Sequence, residues 1–249
     1  MTMAKLAIIG GTGLTQLSGF AHSRRKDVAT PYGKPSSPLT YGELAGCPLV
    51  FLARHGEKHT IPPHQVNYCA NLWALQQAGV ERIIAVAAVG GIRDDLGPAV
   101  VAVPDQIIDY THGRRNTFFE GELDQVTHID FSWPYDSALR AELLTAGRNV
   151  GVPLIDGGTY GCTQGPRLET AAEIARMERD GCAVVGMTGM PEAALARELG
   201  LDYACLAVVA NWAAGKTQEV ITMDDIDAAL KDGMSKAAGV LVALVAGMA

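Results

Sequence analysis

Ile83-Ile84-Ala85-Val86-Ala87-Ala88-Val89 is the stretch that most narrows what this chain can fold into. A strand with one wet face alternates apolar and polar residues; a run without alternation is covered on both faces, as in a parallel or mixed sheet flanked by helices. The run stops at Gly90-Gly91, and other apolar runs stop in a similar way. Leu6 to Ile9 ends in Gly10-Gly11-Thr12-Gly13, and Leu49 to Ala53 delivers Arg54-His55-Gly56. Ala183 to Met187 finishes in Thr188, and Tyr203 to Val209 in Asn211. Open α/β sheets bind ligands beyond the carboxyl ends of their strands, so Thr12, Arg54, Thr188 and Asn211 are expected to converge there.

Helical segments fall between these runs. Val66 to Ala78 carries an apolar stripe through Leu72, Trp73 and Leu75, with Gly79 placed as a left-handed cap. Ala138 to Val150 is amphipathic, with Asp136 or Ser137 as its amino-terminal cap. Further helices are expected from about Ala171 to Arg179, from Pro191 to Gly200, and from Thr222 onward. In the last of these Asp225 completes a capping box, and Ile226, Leu230, Ala237, Leu241 and Leu244 share one side. Ser18 to Gly46 is rich in turn formers and suits a hairpin or surface loop, while Tyr110 to His128 is polar and loop-like. Strands alternating with helices over residues 1–249, without an internal repeat, give a single α/β domain with a central mixed sheet.

Composition excludes several classes. A formal net charge of -7 without Lys/Arg runs argues against a nucleic-acid surface, which needs a basic face to displace counterions. The longest uncharged apolar run, Ala237 to Ala249, is too short to span a bilayer, so no membrane partner is expected. Only five residues precede the first strand, leaving no room for a signal peptide, and the five cysteines are widely spaced with no CxxC pair. The expectation is a cytoplasmic protein with buried free thiols. His55, His59 and His64 fit no common zinc spacing, and no metal is expected.

Anion chemistry is the pattern that remains. Glycines around Thr12 allow backbone amides and one hydroxyl to approach a phosphate, although the spacing matches neither a nucleotide P-loop nor the dinucleotide fingerprint, and a plain tight turn fits equally. Arg54 at a strand end is a bidentate anion clamp or a surface salt bridge. Glu169 sits where it either meets a ligand or complements a helix dipole.

Five segments in order carry a family resemblance: Ile9-Gly10-Gly11-Thr12-Gly13-Leu14, Leu52-Ala53-Arg54-His55-Gly56, Val66-Asn67-Tyr68 with Ala70-Asn71-Leu72-Trp73-Ala74-Leu75, Gln164-Gly165-Pro166-Arg167, and Met187-Thr188-Gly189-Met190-Pro191-Glu192. The chain resembles the trimeric purine nucleoside phosphorylases, and within them the methylthioadenosine and methylthioinosine phosphorylases. The resemblance implies a twisted mixed sheet flanked by helices, a homotrimer, and phosphorolysis of a purine nucleoside with inorganic phosphate as co-substrate and no other cofactor. It assigns phosphate to Thr12, Arg54, His55, Thr188 and the backbone near Ala88. It sets Met187 against the ribose, makes Leu168 a substrate contact, and lends His128 to a neighbouring subunit's site.

The same resemblance bears on specificity. Glu169, as a carboxylate, only accepts hydrogen bonds, so it suits the protonated N1 of a 6-oxopurine, and Asn211 can donate to a 6-oxo group or N7. Adenine-selecting relatives carry aspartates around the Asn211 position and no glutamate at that of Glu169. Met223 stands where inosine and guanosine phosphorylases have a histidine for the 5′-hydroxyl, and a methionine suits a thioether. Together these residues point to 5′-methylthioinosine. Methylthioadenosine, inosine or guanosine, and a nucleoside-binding protein without turnover are the alternatives. Two departures stand out: Ala87, where relatives often have threonine or asparagine near phosphate, and Trp212, whose bulk beside Asn211 is expected to narrow the base pocket.

Overall fold

The computed structural model describes residues 4–11, 19–121, 124–217 and 223–248, the side chain of Met223 excepted. In chain order its elements are β1 (Leu6–Gly10), β2 (Ala21–Lys26), β3 (Leu39–Leu44), β4 (Cys47–Ala53), α1 (Tyr68–Gln77), β5 (Arg82–Gly91), β6 (Val101–Val103), β7 (Gln106–Asp109), α2 (Ser137–Asn149), β8 (Leu154–Asp156), β9 (Thr159–Cys162), α3 (Ala171–Arg179), β10 (Cys182–Gly186), α4 (Gly189–Glu198), β11 (Asp202–Trp212) and α5 (Met223–Ala246). The strands form one mixed sheet in the order β2-β3-β4-β1-β5-β10-β9-β7, with β11 beside β5 and β6, and β8 beside β6.

Side-chain direction explains the apolar runs. Ile8, Ile84, Val86 and Leu206 face Leu139 and Leu143 of α2 and Leu241 of α5. Their neighbours Ile9, Ala85, Ala87 and Cys205 face Leu72 and Leu75 of α1 and Ala193 and Leu195 of α4. Both faces of the central strands are therefore dry, which is why β1 and β5 lack alternation. The helix ends behave as local chemistry dictates: the Leu139 amide donates to the Asp136 carboxylate, and Gly79 takes a left-handed φ of 83° after α1. Thr170 and Glu173 form a capping box at α3.

Of the two readings for Ser18 to Gly46, the hairpin holds: β2 and β3 pair antiparallel. The short strand β8, absent from the sequence reading, pairs with β6. Gly90 and Gly91 close β5 as its last two residues, and there they pair antiparallel with Val185 and Val184. Gly91 is required by close approach: a Cβ there would run into the Leu96 carbonyl oxygen. Asn211 lies inside β11, just after a register shift between Val209 and Asn211. That bulge alters the alternation of side chains at the strand end. The expected cap of the last helix, Thr222, lies outside the described residues.

Candidate active site

The site forms where the sheet opens along one edge of β5. On its other edge β11 pairs along the whole strand. On the open edge, β1 pairs only as far as Ala85, and β10 begins at Gly90. Among the described residues, no strand therefore lies beside 86–89 there. A cavity of about 300 Å3 occupies the opening, and Ala88 is the exposed residue between the buried Ala87 and Val89. Gly11, Arg54, His55, Ala88, Met187, Thr188, Leu168, Glu169 and Asn211 all line it. They come from six separate stretches, brought together because parallel strands direct their carboxyl ends to one edge.

Arg54 departs from both readings of its sequence position. Its side chain is buried, and it is neither a free bidentate anion clamp nor part of a surface salt bridge. Nε donates to Oε2 of Glu192 at 2.7 Å and Nη2 to Oε1 at 2.8 Å, while Nη1 donates to the Val86 carbonyl at 3.0 Å, on the open stretch of β5. Burial lowers the pKa of the guanidinium, but the charge and hydrogen bonds of Glu192 outweigh it and the net shift is upward. Tyr203 donates a further hydrogen bond to Glu192 at 2.8 Å. Three of the five N–H groups of the guanidinium are thus engaged, leaving two for any anion in the cavity.

His55 shares this wall. Its Nδ1 donates to the Ile61 carbonyl at 2.9 Å, which leaves Nε2 an acceptor in the neutral ring. Burial, then the Arg54 charge, push the His55 pKa down to about 4. The His59 ring lies 4.6 Å from it and also lines the cavity, a pairing that the sequence spacing did not suggest. Among the described residues, no group of three or more His, Cys, Asp or Glu side chains is placed to hold a metal ion. Thr188 is buried at the amino terminus of α4, and its side chain does not cap the helix. Thr12 lies outside the described residues.

The opposite end of the cavity is polar and specific. Glu169 is half-buried, and its Oε1 accepts a hydrogen bond from the Thr163 hydroxyl at 2.6 Å. Oε2 is left to meet a ligand. Asn211 donates one amide hydrogen to the Trp212 carbonyl at 2.6 Å and retains the other. Trp212 does not narrow the pocket as expected: it is absent from the lining and its ring lies against Gly97. Leu168 is 55% exposed at the rim. Ile226, Leu230 and Met234, spaced by one helical turn on α5, form an apolar wall, while farther along the same helix Ala237 and Leu241 enter the core. The Met223 side chain lies outside the described residues, and His128 is exposed on a loop outside the cavity lining.

A family model described as the Phosphorylase superfamily matches residues 5–246. The chain belongs to that superfamily. It is 59% identical over 234 residues to a probable S-methyl-5'-thioinosine phosphorylase of Pseudomonas syringae pv. tomato, covering 94% of this chain and 95% of that protein. Identity to the 6-oxopurine nucleoside phosphorylase of Pyrococcus furiosus is 46% over 229 residues, covering 90% of this chain and 85% of that one. In structure the chain is similar to methylthioadenosine phosphorylase from Schistosoma mansoni in complex with adenine, with a TM-score of 0.93 and 33% identity over 98% of this chain and 92% of that chain.

Three features of this superfamily site escaped the sequence reading. Glu192 is a fully buried carboxylate in the apolar run from Met190 to Ala196, and that mismatch was the available signal. Thr163 gave none, because its partner depends on how the following loop turns back. Ile226 and Leu230 had been assigned to a helix stripe, but the sequence could not show that the stripe divides between core and cavity.

Glu192→Gln removes the charge opposite a buried guanidinium and is expected to cost about 3–5 kcal/mol in urea unfolding. Arg54→Met combined with Glu192→Leu should recover most of that loss. A loss near zero for the single variant would mean that water reaches the pair. The low His55 pKa carries its own signature. Between pH 6.5 and about 4 the unfolded state binds a proton that the folded state does not, so this contribution to stability is complete above pH 6.5 and is lost as pH falls. Unfolding midpoints of wild type should therefore fall more steeply across that window than those of His55→Asn; parallel curves would refute the assignment.

Proposed function

We propose that this phosphorylase-superfamily protein cleaves 5′-methylthioinosine with phosphate, yielding hypoxanthine and 5-methylthioribose 1-phosphate. The observation that carries the reading is the paired base-reading wall: Glu169, held by Thr163, faces one cavity together with the Asn211 amide. A carboxylate acceptor suits the N1–H of a 6-oxopurine and leaves adenine's N1 opposite a second acceptor, a mismatch that a buried site rejects strongly. The apolar α5 wall suits a methylthio group, and the Pseudomonas relative is named for that substrate. The Pyrococcus relative supports a broader 6-oxopurine phosphorylase as the second reading.

In this mechanism a phosphate oxygen attacks the anomeric carbon as the bond to the purine breaks. The bonding electrons move into the base, and the proton of hydrogen phosphate ends on it. Arg54, His55, Thr12, Thr188 and the backbone at Ala88 hold the phosphate. Arg54 does so with its two remaining N–H groups, and neutral His55 can accept the phosphate proton at Nε2 as a hydrogen bond. Ala87 offers no side-chain hydrogen bond, so the anion depends more on these groups. Glu169 and Asn211 stabilise charge developing on the purine, Met187 packs on the ribose, Leu168 closes the rim, and Met223 meets the 5′-substituent. Positioning and electrostatics supply the catalysis, and phosphate is the only cofactor-like species needed.

The reading includes a cytoplasmic homotrimer in which His128 serves a neighbouring site. Val126 and Trp133, 77% and 69% exposed on either side of His128, support a subunit lying on that loop. Among the described residues, no helix is long and apolar enough to cross a membrane.

Chromatography of base released from methylthioinosine, methylthioadenosine and inosine, with and without phosphate, tests the reading. Phosphate-dependent hypoxanthine release, fastest from methylthioinosine, is expected. Mainly adenine release would overturn the base assignment, and a preference for inosine the sugar assignment. Asn211→Asp should shift the ratio of rates toward methylthioadenosine by about tenfold or more, since one good hydrogen-bond match is worth about that factor; an unchanged ratio removes Asn211 from base selection.

A further inference from the structure

Arg114 lies outside the cavity lining, in the long segment between β7 and α2, whose described residues form no helix or strand. Its guanidinium meets two loops of the site at once. Nη2 donates to the carbonyls of Thr163 at 3.1 Å and Gln164 at 2.8 Å, and Nε to the Gln164 side-chain oxygen at 3.1 Å. Nη1 donates to the carbonyls of Met187 at 2.9 Å and Met190 at 2.6 Å, with a longer contact to the Tyr68 hydroxyl at 3.4 Å. Among the described residues no carboxylate forms a salt bridge with it; its acceptors are neutral, and most are backbone carbonyls.

Those carbonyls are not placed at random. Thr163 orients Glu169 through its hydroxyl, so the first loop carries the base-reading carboxylate. Met187 and Met190 bracket Thr188, so the second carries the ribose-facing and phosphate-facing residues. The segment bearing Arg114 is itself fixed: Glu198 of α4 accepts hydrogen bonds from the Thr117 hydroxyl and the Phe118 amide, both at 2.6 Å. A planar guanidinium can bridge two carbonyl-rich loops with fixed angles, whereas a lysine offers a single point of donors on a flexible stem.

We propose that Arg114 is a positioning residue that fixes the spacing between the base-reading loop at Thr163–Glu169 and the sugar- and phosphate-facing loop at Met187–Met190. The proposal rests on the functional reading above for what each loop binds. Its consequence is specific: loss of Arg114 disturbs both substrates together, because each loop loses the same anchor. Loss of the Thr163 hydroxyl disturbs chiefly the base side: its contact with the Gly186 carbonyl is longer, at 3.3 Å, and the Thr163 amide still donates to that carbonyl at 2.8 Å.

The test compares wild type with Arg114→Lys, Arg114→Met and Thr163→Val, measuring kcat and both KM values, alongside melting temperatures. Arg114→Lys and Arg114→Met are expected to raise KM for nucleoside and for phosphate, and to lower kcat/KM by about ten- to hundredfold, the scale of a small misplacement of reacting groups. Thr163→Val is expected to raise KM for nucleoside and erode the preference for 6-oxopurines with phosphate KM unchanged. A folded Arg114 variant with both KM values at the wild-type level, or a shift confined to one substrate, overturns the proposal. Failure of both Arg114 variants to fold also overturns it, assigning the residue to the stability of the fold. The wild-type substrate profile separates this outcome from the functional reading: if another nucleoside is preferred, that reading fails, and the two-substrate pattern is read on the preferred nucleoside.

Discussion

The site depends on an interrupted ladder. β5 is paired along its full length with β11, but on its other edge it changes partner from β1 to β10, leaving no strand beside 86–89 among the described residues. A buried strand with unpaired polar groups is unfavourable unless something else satisfies them. Here the Val86 carbonyl accepts from Arg54, and the exposed Ala88 faces the cavity. The sheet thus provides the binding edge by leaving part of itself open, and the helices on its two faces keep the rest dry.

Arg54 can occupy that edge only because Glu192 and Tyr203 are there to meet it. A guanidinium this deeply buried requires a counter-charge, and the carboxylate comes from the helix that begins at Thr188. The arrangement ties β4, β5, α4 and β11 to one charged centre. It also restricts chemistry: with its fork held by Glu192, Arg54 presents a fixed direction to an anion, at the expense of bidentate reach. His55, kept neutral beside it, adds an acceptor without adding positive charge. That wall of the cavity therefore combines one buried cation with a neutral histidine.

The other end of the cavity follows a different logic. Small polar groups aligned by backbone line it, with Thr163 holding Glu169 and the β11 bulge preceding Asn211. Arg114 donates to carbonyls of both the Thr163 loop and the Met187 loop, so two walls of the cavity share one partner.

Much of this was legible along the chain. The unalternating runs marked central strands covered on both faces, Asp136 and Gly79 marked helix ends, and the strand-end residues Arg54, Thr188 and Asn211 meet in the cavity wall, because each of these signals is local. What stayed hidden was non-local. Gly90 and Gly91 end β5 as read, but the reason they are glycines lies in distant partners, β10 and the Leu96 carbonyl, which come too close for a side chain at Gly91. Trp212 read as an obstruction in the base pocket, yet its ring packs on Gly97 instead. By itself the sequence determined the elements and which residue types stand at their ends, since propensity, periodicity and capping act over a few residues. Tertiary structure alone decided that Arg54 meets Glu192 across 138 positions, that Thr163 orients Glu169, and that α5 divides between core and cavity. Those outcomes depend on which strands pair and where the sheet opens, and no local run of residues encodes a partner that distant.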